Sequence, residues 1–235
     1  MRWLILIPVL VCCALSQGCS TPRGSKESRL DPSQLAKSDI DRISDTHRRQ
    51  LDASLRVLAE KLYKRNPKEW KNSGQPSLEA AVNRIFASGD WRLPELGDRT
   101  GTDAILMGLR EDYTGDRVAA FIAGMGSMMH MAFGEKHEFY MYDDLDPQRL
   151  YNAARNLEIA AWKLANSRDA NGQLLLLSNE QGPVPNLSFE REFGKMIGNL
   201  DLLSATIADK SNRTVIKIVQ TLATAVFLPV AAVLK

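Results

Sequence analysis

Seventeen consecutive residues in the middle of the chain offer no charged face. From Val118 to Gly134 the sequence reads VAAFIAGMGSMMHMAFG, with Asp116-Arg117 before it and Glu135-Lys136 after it. A helix at a protein surface carries a polar stripe; one that is apolar all round must be surrounded. Ala120 and Gly124, and Ala123 and Ser127, put small residues four apart, which allows a second backbone to approach closely. Met125, Met128 and Met129 can fill irregular space around such a contact. The run therefore predicts a central core helix. Its rival is a helix that enters a membrane or a partner, since the length is at the short edge for spanning a bilayer.

The flanking sequence supplies amphipathic helices to wrap that core. Ile40, Ile43, Leu51, Leu55, Leu58 and Leu62 recur at steps of three, four and their sums, and Asn66-Pro67 ends the pattern with a short Asn-capped turn through Trp70. His47 lies on the same stripe and is expected to be partly buried and hydrogen-bonded. A second helix runs from Ser77 to Ala87, ended by Ser88-Gly89. A third runs from Asp103 to about Glu111, capped by Thr102 after the polar loop GDRTGT. That loop lacks the Gly-Lys-Ser/Thr ending of a phosphate-binding loop and reads as a turn. Asp146 as N-cap, Pro147 at the first helical position, and Leu150, Ala154, Leu157, Ala161 and Leu164 down one face make the best-signalled helix of the chain. Ser188 opens another, with Phe189, Phe193, Met196, Ile197, Leu200, Leu203 and Ile207 inward. His137–Tyr142 and Leu174–Leu177 are candidates for two short strands, which if paired would have the intervening helix packed across them. The tail from Thr214, strongly apolar from Ile218 to Leu234, is expected to be a last helix buried against Val118–Gly134, with a second membrane contact as the rival. The expected fold is all-α, a single domain of about seven helices with at most two short strands.

Charge excludes several functions. The 235 residues carry 30 Lys and Arg against 28 Asp and Glu, so no overall field would gather nucleic acid or an acidic substrate. The basic excess is local, with thirteen Lys and Arg against eight Asp and Glu between Ser20 and Gln75. Such a face could sit near anionic headgroups or peptidoglycan, a solvated amphipathic surface being the commoner explanation.

The first residues have the layout of a secretory signal. Arg2 supplies a positive start, and Trp3 to Leu15 is an uncharged, nearly all apolar stretch too short to remain as a spanning helix. All three cysteines, Cys12, Cys13 and Cys19, lie in or just after it, so no disulfide can staple the mature fold. The segment Leu15-Ser16-Gln17-Gly18-Cys19 resembles a bacterial lipobox, the site at which the signal is cut before a cysteine that is then lipidated. Gly18 fits the pattern, whereas Ser16 stands in the aliphatic place and Gln17 is large. The resemblance covers about the first twenty residues and implies a lipoprotein with acyl chains, palmitate among them, on Cys19. Ser20 after the cysteine resembles the outer-membrane sorting type. Ordinary cleavage nearby, leaving Cys19 as a free thiol, is the alternative. The layout is then a signal over 1–18, a polar anchored linker over 19–37 and a helical domain over 38–235.

Chemistry-bearing constellations are sparse. Ser127 and His130 sit three apart on one helix face, the spacing of a nucleophile and its base, without a G-x-S-x-G elbow. A buried hydrogen-bonded pair is the plainer reading. Glu135, His137, Glu138, Asp143, Asp144 and Asp146 gather possible cation ligands in a dozen positions, in an order that matches no calcium loop. No motif for a cofactor or a structural metal is present. The leading expectation is a non-enzymatic interaction or structural protein of the envelope, held to the membrane by its lipid and facing the periplasm. A small-ligand-binding protein or enzyme with a pocket near His130, His137 and the Asp143-Asp144 loop is the alternative, Ser127 being a further polar-site candidate, and a membrane-active protein working through its apolar helices is a third.

Overall fold

Helix capping and apolar periodicity set the order of elements in the computed structural model, which describes residues 37–87, 89–140, 143–180 and 183–231. The signal, the lipobox with Cys19 and most of the linker lie outside the described residues. Seven α-helices occur among those described: α1 Asp39–Arg65, α2 Pro67–Asn72, α3 Leu78–Ala87, α4 Gly101–Gly108, α5 Arg117–Ala132, α6 Pro147–Asn166 and α7 Ser188–Ser211. A single 3-10 turn, Pro94–Leu96, precedes α4. The fold is all-α.

Helix α5 is the axis of the molecule. Every residue from Val118 to Met129 is buried, and α5 packs against α1, α2, α3, α4 and α6. Its closest neighbour is α4, and glycine makes that approach achievable. A Cβ added to Gly124 would lie 2.7 Å from the Ile105 backbone nitrogen and 2.8 Å from the Gly101 carbonyl oxygen. Gly126 leaves room for the indole of Trp91, whose ring would come within 2.3 Å of an added Cβ. The small-residue spacing thus serves helix packing inside the protein. No described helix is long and apolar enough to cross a membrane.

Two buried carboxylates hold the start of α5. Asp116 caps it, accepting the Ala119 N–H at 2.9 Å on one oxygen and the Tyr63 hydroxyl at 2.8 Å on the other. Glu69 on α2 accepts the Arg117 N–H at 2.8 Å. Both exploit the positive end of the helix dipole. Burial pushes the Glu69 carboxyl up. It also pushes the Tyr63 phenol far up, with the Asp116 charge adding to the effect.

Helix α1 starts with a capping box in which Ser38 N–H donates to Asp41 at 2.8 Å. Leu51, Leu55, Leu58 and Leu62 are buried as the periodicity predicts, but Ile43 is 42% exposed. Ser44 and Asp45 take the inward places beside it, because each has a partner there. Ser44 donates to the Ile40 carbonyl at 2.8 Å; Asp45 pairs with Lys37 at 2.5 Å and accepts the Phe139 N–H at 3.0 Å. His47 is half-buried and bonds the Asn199 carboxamide of α7 through Nδ1, as expected of a packed histidine.

Several sequence expectations are corrected. Among the described residues the two candidate strands do not form. Residues 137–140 are irregular, and Leu174 makes only an isolated bridge with Arg168. Leu177 has no strand partner because Asn66 occupies its backbone: the Asn66 carboxamide donates to the Leu177 carbonyl at 2.9 Å and accepts its N–H at 2.8 Å. Asn66 consequently makes no side-chain cap on α2. Helix α4 begins at Gly101 and ends at Gly108, earlier than the Asp103–Glu111 expected. Among the described residues the last helix is also absent: residues 213–220 and 225–230 carry no regular secondary structure, and the segment lies on α6 rather than against α5.

Candidate functional site

Of the five candidate residues Ser127, His130, His137, Asp143 and Asp144, the structure pairs two. Helix α5 ends at Ala132, and left-handed backbone at Gly134 (φ 69°) and Glu135 (φ 61°) turns the chain back on itself. His137 is thereby laid over His130 with ring centroids 4.7 Å apart and planes 28° from parallel. Gly89 lies against the outer imidazole; a Cβ there would be 3.0 Å from His137 Cε1. His130 is held below the usual imidazole range by burial first and then by its neighbour His137. Arg48 acts in the same direction, and Glu135 and Asp90 oppose it. Asp52, bonded to Arg48 at 2.9 Å, is pushed up by burial. Burial and the ring stacked on it together disfavour a charge on His130.

The other three residues are committed elsewhere. Ser127 Oγ accepts the Gly101 N–H at 2.7 Å and donates to the Ala123 carbonyl at 2.7 Å, so it locks α4 onto α5 and presents no free hydroxyl to His130. Asp143 bonds Lys136 and accepts the Tyr140 N–H at 2.9 Å. Lys136 holds its carboxyl below the usual range. Asp144 pairs with Arg213 at 3.0 Å. A recess of about 200 Å³ at Asp143 and Asp144 is lined by Ile40, Phe139, Leu145 and Ile207, and neither His130 nor His137 lines it. Among the described residues, no group of three or more His, Cys, Asp or Glu converges as metal ligands.

A second site went unseen in the sequence. Four side chains on one face of α6 hold the backbone of the chain's last described segment. Gln148 donates to the Ile216 carbonyl at 3.1 Å and accepts its N–H at 2.7 Å. Tyr151 Oη donates to the Ile218 carbonyl at 3.2 Å and accepts its N–H at 3.1 Å. Asn152 donates to the Pro229 carbonyl at 2.8 Å. Asn156 donates to the Leu228 carbonyl at 2.8 Å and accepts its N–H at 2.7 Å. The carboxamides of Gln148 and Asn156 thus do what a neighbouring strand would do, presenting one donor and one acceptor to an extended peptide, while the Asn152 oxygen accepts from Gln148 Nε2 at 2.9 Å. Asn156 is 0% exposed, so its hydrogen-bonding capacity is met only by this contact among the described residues. The signal was legible in principle: Asn152 and Asn156 fall among buried positions of α6, where an unpaired amide would be costly.

The segment so held, residues 214–231, has two arms. The later one is rooted, with Ala225, Leu228 and Val230 buried. The earlier one is superficial. It crosses a cavity of about 710 Å³ between α6 and α7, lined by Tyr151, Arg155, Asp201, Ala205, Val215 and Val219. Arg155 in that lining pairs with Asp201 at 2.6 Å and Glu158 at 3.2 Å. Ile216, Ile218, Val219, Leu222 and Val226 all remain exposed, Val219 at 96%. Side chains are thus directed outward by a segment whose backbone is fixed. Comparison with protein-family models, with curated proteins and with solved structures finds no match to this chain.

Proposed function

We propose that this chain is a lipid-anchored protein of the bacterial envelope, attached to the outer membrane through Cys19 and facing the periplasm, and that it acts by binding another polypeptide. The observation that carries the binding reading is the apolar patch of residues 216–226, held in place by α6. Five exposed large apolar side chains fall within eleven positions, and clustered exposed apolar surface is a mark of interaction sites. The membrane attachment rests on the lipobox resemblance alone. Acyl chains contribute about 0.8 kcal/mol per buried methylene, so two or more would anchor the protein without a spanning helix.

The stacked His130–His137 pair favours a second reading, a small-ligand or proton-transfer site at the end of α5. It predicts that His130→Ala abolishes function while abundance and folding stay intact.

Fractionation of cells making the wild type and Cys19→Ala, with an alkaline wash of the membranes, tests the anchor. The variant should appear in the soluble periplasm; retention in the washed pellet would overturn lipid anchoring. A photoactivatable residue placed at Val226 in intact cells tests the binding reading. It should give polypeptide adducts, whereas the same residue at Val184, which is 86% exposed, should not. Equal labelling from both positions would sink it.

A further inference from the structure

We infer that the cavity at the junction of α1 and α2 binds a single-chain anionic amphiphile, an alkyl tail carrying one carboxylate or phosphate head. This site shares no lining residue with the cavity beside residues 214–220, so it adds a small-molecule ligand to the polypeptide-binding reading.

The chain builds the cavity by breaking a helix and pinning a loop to the break. Asn66-Pro67 separates α1 from α2, and the Asn66 carboxamide grips the Leu177 main chain through both a donor and an acceptor. Leu175 N–H donates to the Ser167 carbonyl at 3.0 Å, so a second residue of the loop is fixed through its backbone. The space beside them is about 530 Å³, within the range of small-ligand sites. Leu174, Leu175, Leu177 and Pro67 supply its apolar lining, and Arg65 and Lys68 its charged lining. Among the described residues no carboxylate lines it. The recesses described above differ in this respect: Asp143 and Asp144 line one, and Glu158 and Asp201 the other.

Arg65 supplies an independent pointer to an anion. Its Nη1 donates to Glu180 at 3.1 Å, while its Nε is buried and has no hydrogen-bond partner among the described residues. A buried donor left unmet is costly, and a charged one more so. Nε and Nη2 form the edge of a guanidinium that takes the two oxygens of a carboxylate or phosphate side by side. Lys68 stands 3.9 Å from Glu69, too far for a hydrogen bond, and adds a second positive charge. The leucines select the tail. Leu177 is 45% exposed although both its backbone groups are held, and an alkyl chain laid on it removes that surface from water. An inorganic anion would leave the leucines uncovered, and a neutral hydrocarbon would leave Arg65 Nε unmet.

The test uses the full chain, purified from its membranes in a non-ionic detergent, and dodecanoate bearing a mid-chain diazirine. Photolysis should place the adduct within residues 173–177, as mapped by peptide mass spectrometry. Unlabelled dodecanoate and dodecyl phosphate should both compete, the stronger naming the head, and inorganic phosphate should not. Arg65→Gln and Lys68→Gln should each weaken labelling about tenfold, the loss expected of one charge-assisted hydrogen bond. Lys68 is exposed, so Lys68→Gln should melt with the wild type, which separates lost binding from lost folding. Leu177→Ser keeps the main-chain bonds to Asn66 and should also weaken labelling. Equal labelling by the dodecylamine analogue, or labelling untouched by both glutamine substitutions, overturns the anionic head. Competition by inorganic phosphate as strong as that by dodecyl phosphate overturns the tail. No adduct within residues 173–177 overturns the site, and none of these results bears on the crosslinks from Val226.

Discussion

His137 stacks on His130 across the turn that ends α5, and the two rings are 4.7 Å apart. Protonating both would place like charges in contact, and burial already favours the neutral form of His130. The folded state therefore binds a proton at His130 less readily than the unfolded chain, whose value is 6.5. Its contribution to stability is fully present above that value and is lost as pH falls through the lower folded one. Urea unfolding compared at about pH 7.5 and about pH 5.5 should show the wild type losing stability on acidification. H130Q should lose less over the same interval. An identical loss in both proteins would show that His130 does not titrate in this way.

Ser127 is expected to be structural. In Ser127→Ala the buried Gly101 N–H loses its acceptor, at a cost of about 1–3 kcal/mol. The urea midpoint should drop accordingly, with the helical circular dichroism of the native baseline unchanged. A neutral substitution would mean that Gly101 finds another partner.

Gly124→Ala places a methyl group against backbone atoms of α4 that cannot turn aside. Overpacking of this kind costs about 1–3 kcal/mol. The same substitution at Gly194, where an added Cβ meets nothing within 4 Å, should be neutral or slightly stabilising, because alanine is the better helix former. Thermal melts of the two variants give the comparison directly.

Removing the Asn156 carboxamide should free the C-terminal segment. Asn156→Ala leaves the Leu228 N–H and C=O without partners in a buried setting, a loss of about 2 kcal/mol or more. Amide hydrogen exchange should rise across residues 216–230 and stay protected in α5. Uniform deprotection of the whole chain would instead mark the segment as integral to the global fold.

Much of the helical architecture was legible because it follows from local rules. The Asp146-Pro147 start, the Leu51 to Leu62 stripe and the buried stripe of α7 all appear where periodicity and capping put them. The enclosure of Val118–Met129 was legible for the same reason, since a helix without a polar face has one stable environment in a soluble core. The errors came from long-range polar contacts. Leu174–Leu177 has the composition of a strand, yet Asn66, 111 residues distant in sequence, takes the bonds a strand partner would use. Thr214–Leu234 has the hydropathy of a buried helix, yet its β-branched residues and the carboxamides of α6 together favour an extended path over the described part of the segment. For the candidate site, sequence proximity brought out the two histidines but suggested a Ser127–His130 partnership that the Gly101 N–H pre-empts.

The α6 carboxamides grip main chain and never touch the identity of the residues they hold. Ile216 and Ile218 could be exchanged for many other amino acids without altering the bonds that position them, so the outward surface of this segment can diverge while the helical body stays constant. Related chains would then be expected to share the amides at 148, 152 and 156 and to differ at 216, 219 and 226, which is the pattern by which one scaffold acquires different recognition specificities.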